Sequence, residues 1–99
     1  MPTATAKIGS TVVATTSTWE TVEGNIYFPP SSVDRTVLSD SNTSTHCPWK
    51  GDASYYNITV PGGNTVKDAA WYYPHAFEKA KHIQDYVAFY KSKVDVSVA

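Results

Sequence analysis

The chain has 99 residues, 13% of them aromatic, and a formal net charge of −1 at neutral pH. That length predicts a single domain over residues 1–99 that buries roughly 60–65% of the surface its unfolded chain exposes. The near-neutral charge speaks against a broad surface for nucleic acid or an anionic membrane, and the lone cysteine excludes an internal disulfide framework or a multi-cysteine zinc ribbon.

Met1-Pro2-Thr3-Ala4-Thr5-Ala6-Lys7 lacks the apolar core of a signal peptide, and no segment approaches membrane-spanning length. A reducing, cytoplasmic setting is therefore expected. Residues 10–16 are rich in Val and Thr and predict the first strand. Asn25-Ile26-Tyr27-Phe28 predicts a second, stopped by Pro29-Pro30, which has no amide hydrogens to give to a ladder. Pro30-Ser31-Ser32-Val33 reads as one helical turn before a strand at residues 36–38, and the Ser/Thr-rich stretch 39–45 reads as a loop.

In residues 54–60, Tyr56, Ile58 and Val60 alternate with Tyr55, Asn57 and Thr59, the period of a strand. Pro61-Gly62-Gly63-Asn64 supplies a turn, and the chain returns through residues 65–73 as the partner strand. Residues 76–84 predict one short helix, with Phe77, Ala80 and Ile83 three apart on a buried face. Val87-Ala88-Phe89 is a short strand, and Val94, Val96 and Val98 alternate with Lys93, Asp95 and Ser97 as a last one with one face buried. The expected fold is mainly β and antiparallel, with one short helix near residues 76–84.

One run concentrates the chemistry: Cys47-Pro48-Trp49-Lys50-Gly51-Asp52-Ala53-Ser54-Tyr55-Tyr56. With Tyr27-Phe28-Pro29-Pro30, Asp68-Ala69-Ala70-Trp71-Tyr72-Tyr73-Pro74 and Val87-Ala88-Phe89-Tyr90, it resembles a family of small proteins known as domain of unknown function 427 (DUF427). The resemblance runs in order over nearly the whole chain. It implies a compact antiparallel β barrel or tent-like pair of sheets, and no settled activity. Some members carry a nucleotidyltransferase label. Such chemistry needs clustered carboxylates to hold Mg²⁺, and the acids of this chain form no close pair in sequence.

Three classes of function stay open on these residues. In a binding module, Lys50 offers a point charge to a small anion, Cys47 lines the pocket, and Trp71, Tyr73, Tyr56 and Tyr27 form an aromatic wall. In an enzyme, Cys47 acts as a nucleophile, or Lys50 or Glu20 as an acid/base group. In an interaction module, the motif merely holds a turn, Lys50 packs on Trp49 or Trp71 and meets Asp52 or Asp68, and edge strands form a homodimer. No metal site or cofactor is expected, because His46, Cys47, His75 and His82 lack ligand spacing. The clustered Lys79, Lys81, Lys91 and Lys93 read as a solvated face, so no nucleic-acid partner is expected.

Overall fold

The computed structural model describes residues 2–99. Strand accounts for 54% of the chain and helix for 12%, which makes the protein mainly β. Among the described residues three antiparallel sheets carry it, and none closes into a barrel. The first joins β1 (Ala4–Ile8), β2 (Thr11–Thr16) and β9 (Asp95–Val98) in the order β2-β1-β9. The second is a small hairpin of β3 (Glu20–Val22) and β4 (Asn25–Tyr27). The third runs β5-β6-β7-β8, from Leu38–Cys47, Gly51–Thr59, Thr65–Tyr72 and Ala88–Phe89.

The middle of the third sheet is buried on both faces, and the alternation of β6 explains how. Tyr56 and Ile58 join Ala4, Ala6, Val13, Phe28, Val37 and Val87 in one apolar cluster, under the first sheet. Tyr55 and Ala53 point the other way, into a second cluster with Tyr27, Trp71, Tyr73, Ala80 and Ile83. Of two isolated bridges, Ala14 to Val33 ties β2 to the segment after the Pro30–Ser32 turn, and Phe28 to Val87 ties the second sheet to the third. The Phe28 amide donates to the Val87 carbonyl at 2.8 Å and the reverse bond is 2.9 Å, which fixes the β3–β4 hairpin beside β8.

The β6–β7 hairpin, β2, β4 and β8 lie where the alternation and turn signals put them. Elsewhere the structure corrects the sequence. Residues 39–45 are strand, not loop, because a sheet edge tolerates Ser, Thr and Asn on faces open to water. The strand expected at residues 36–38 is mostly a 3₁₀ turn, Arg35–Val37, capped by the Asp34 carboxylate accepting from the Thr36 amide at 3.0 Å. β1 and β3 were not expected at all: an Ala-rich pentapeptide and a three-residue strand carry little strand signal.

The helix near residues 76–84 is a 3₁₀ helix, Glu78–Ile83. The spacing of three that suggested it is the 3₁₀ repeat itself. Ala80 and Ile83 are buried, but Phe77 caps the helix in extended backbone and leaves the stripe, 46% exposed. From Val94, just before β9, to Val98 in it, burial fades outward, from 2% exposed to 48%. Among the described residues no helix is long and apolar enough to cross a membrane.

Candidate functional site

Pro48, Trp49 and Lys50 form the turn between β5 and β6, whose last and first residues, Cys47 and Gly51, pair. Gly51 sits at φ +118°, a backbone conformation that side chains resist. A Cβ there would stand 3.0 Å from the His75 carbonyl oxygen. The Phe77 amide donates to the Lys50 carbonyl at 2.9 Å. These contacts pin the turn against the strap at residues 75–77, and the Lys50 side chain is directed inward.

Lys50 is 7% exposed and is the one buried charged residue among those described. Its ammonium donates to the Glu23 carboxylate at the β3–β4 turn and lies 5.3 Å from the Trp49 ring centre and 5.6 Å from that of Tyr73. Burial weighs against the charged form, but the Glu23 hydrogen bond and the nearby Tyr27 and Tyr73 hydroxyls outweigh it and lift the Lys50 pKa. Lys50 is therefore a cation at neutral pH. On the other side of the pair, the Lys50 hydrogen bond holds the Glu23 carboxyl below its ordinary value.

Lys50 forms part of the wall of a cleft of about 470 Å³. Tyr55, Trp71, Tyr73 and Tyr90 supply its aromatic surface, and Asn25 and Lys91 its polar rim. Trp71 and Tyr90 meet with ring centres 4.6 Å apart and tilted by 50°, while Tyr55 and Tyr90 are near parallel at 6.3 Å. Burial, with the Tyr55 hydroxyl beside it, raises the Tyr90 pKa to about 12, so its phenol stays neutral. Lys91 Nζ donates to the Gly24 carbonyl at 3.2 Å.

The structure brings Lys50, Trp71 and Tyr73 to one cleft and leaves the other expected site residues outside it. Tyr27 is fully buried and supports the wall from behind, its hydroxyl accepting from Trp71 Nε1 at 3.1 Å. Cys47 packs half-buried against the second cluster. Tyr56 is on the opposite face of the sheet, stacked on Tyr72 at 4.4 Å, and its hydroxyl accepts from Arg35 Nη1 at 3.0 Å. Glu20 opens on a separate hollow with Trp19 and Tyr86.

Neither acid expected beside Lys50 is there. Asp52 pairs with His46 at 2.7 Å, and Asp68 accepts from Ser41 and from Thr43. The residues missed were Glu23, Tyr55, Tyr90 and Lys91. A signal existed for one of them: Glu23-Gly24 between strand-forming residues is a two-residue hairpin turn, and both residues have positive φ, at 54° and 79°. Among the described residues no three His, Cys, Asp or Glu side chains converge.

No curated protein matches the chain. A family model does, the domain of unknown function DUF427, over residues 4–99. The chain belongs to that family.

Proposed function

We propose, on the premise of membership in a family that carries no assigned activity, that this domain binds a small anionic molecule in the cleft beside Lys50. The observation that carries the reading is the buried ammonium at an aromatic wall. Removing a lysine head from water costs several kcal/mol before compensation, and the one carboxylate that meets it comes from a half-exposed side chain. Lys50 supplies the charge, Trp71, Tyr73 and Tyr90 a surface for a flat or apolar portion, and Asn25 and Lys91 polar groups at the mouth. The raised Lys50 pKa favours a fixed charge over an amine nucleophile, which has to lose its proton to react.

The test is a thermal-shift screen of nucleotides, sugar phosphates and carboxylates on the native protein and Lys50→Met, which keeps the stem and removes the charge. A ligand at 100 times its Kd stabilises by about 2.7 kcal/mol, several degrees for a domain of this size. The expected result is a shift in the native protein that Lys50→Met abolishes. A shift that survives the substitution moves the ligand elsewhere. Silence across the panel sends the search to protein partners, beginning with self-association measured against concentration.

A further inference from the structure

The β3–β4 turn touches the cleft through consecutive residues. Glu23 places its carboxylate on Lys50, Gly24 gives its carbonyl to Lys91, and Asn25 lines the cleft beside them. Both lysines of the cleft are thus held by one turn. The pairing with Lys50 is unequal: the Lys50 side chain is 9% exposed and that of Glu23 is 52%. If the two separate, Glu23 is taken up by water at once, whereas Lys50 keeps a buried charge that a new anion can neutralise.

The turn also carries local strain. Glu23, a residue with a Cβ, is held at φ 54°, where side chain and carbonyl crowd one another. The strands behind it have three residues each and pair only with one another. A two-stranded ribbon has little independent stability. Its firm anchor, the bridge from Phe28 to Val87, lies at the far end of β4, away from the tip.

We propose that the Glu23-Gly24 turn is an internal occupant of the anion site, and that the external ligand carries two negative charges. On binding, it displaces the turn and takes Lys50 and Lys91 together. This deepens the anion-binding reading above and rests on it. The Glu23 carboxylate is a competitor built into the chain, so affinity is set by the difference between the ligand's hold on Lys50 and that of Glu23. An anion of one charge satisfies Lys50 but leaves Lys91 without the carbonyl it gave up. A dianion satisfies both.

Sulfate is the probe, because it keeps both charges across the working pH range, with nitrate as the single-charge comparison. Both are titrated by calorimetry into the native protein, Glu23→Gln, Lys50→Met and Lys91→Met, and the amide resonances of Gly24 and Asn25 are followed by NMR. Glu23→Gln is expected to tighten sulfate binding roughly two- to fivefold, a modest gain because the Glu23 side of the pair is half open to water. Lys91→Met is expected to weaken sulfate more than nitrate, and in the native protein Gly24 and Asn25 resonances should move as sulfate binds.

If Glu23→Gln leaves the affinity unchanged or lowers it while Lys50→Met abolishes binding, the competitor is overturned and the anion site stands. Equal losses for sulfate and nitrate in Lys91→Met overturn the dianion. No sulfate binding to either the native protein or Glu23→Gln, or binding that survives Lys50→Met, overturns the anion site as well. Should Glu23→Gln fail to fold, the native protein decides alone: Gly24 and Asn25 resonances that stay fixed during Lys50-dependent binding overturn the displacement.

Discussion

At the scale of single residues, the pair of Lys50 and Glu23 links the cleft to acid stability. The Lys50 hydrogen bond is the main cause of the lowered Glu23 pKa, with a smaller part from Trp49, and Tyr27, Tyr73 and Lys91 are the other groups nearby. A carboxyl whose folded pKa is depressed adds stability in full above its unfolded value and loses it as the pH falls through the folded one. For Glu23 the ordinary value is 4.5, so its contribution is complete above that pH and fades below it. Asp34, through Thr36, and Asp68, through Ser41 and Thr43, are lowered too and share the same limb. The midpoint of thermal unfolding should therefore separate the native protein from Glu23→Gln by a constant gap from neutral pH down to that value. Below it the two should converge. A gap that persists at the acid end would mean that Glu23 stabilises through packing instead of charge. Lys50 itself stood out in the sequence because of its motif, but its partner did not. Glu23 is 27 positions away, and Asp52, two positions away, is taken by the exposed His46.

Among the elements, the turn from β5 to β6 depends on one backbone conformation. Gly51→Ala combines a left-handed φ with a methyl group 3.0 Å from the His75 carbonyl oxygen. It should cost about 1–3 kcal/mol by chemical denaturation, and because the Phe77-to-Lys50 bond must shift with it, it should weaken ligand binding at the cleft. An unchanged denaturation midpoint would show that the strap yields freely. The neighbouring strands show another such device. Ser41, Asn42 and Thr43 bulge from β5 opposite Tyr55, and Lys67, Asp68 and Ala69 bulge from β7 opposite Asn57. The Asp68 carboxylate reaches over β6 to Ser41 and Thr43, while its amide donates to Asn57 Oδ1 at 2.9 Å. Both bulges therefore lock onto β6 at one level. The hairpin from β6 to β7 was legible because alternation and a Gly-Gly turn agree there. β5 was not, because a polar edge strand with an inserted bulge breaks the period of two that identifies a strand. Its hydrogen bonds come from β6, and no local pattern shows that.

Across the whole molecule, the sheet covered on both sides is the frame and the small hairpin an appendage. Amide hydrogen exchange should rank them so: slowest at Tyr55, Tyr56 and Ile58 of β6 and Ala70 and Trp71 of β7, fastest in β3 and β4, measured in the native protein without ligand. Protection of Thr21 and Val22 equal to that of β6 would mean that the hairpin opens only with the entire fold. The sequence conveyed the β class and one end of the cleft. Alternation put Tyr55 and Tyr56 on opposite faces, but it could not convey that both faces are covered, since that depends on distant segments. That division also has an optical consequence. Tyr56 is stacked on Tyr72 on one side of the sheet, and Trp71 leans on Tyr90 on the other. Rings held so close in a fixed chiral setting couple their electronic transitions, so both pairs contribute to near-ultraviolet circular dichroism. A molecule entering the cleft should perturb the indole band of Trp71 together with the phenol bands of Tyr55, Tyr73 and Tyr90, which allows occupancy to be read without a label.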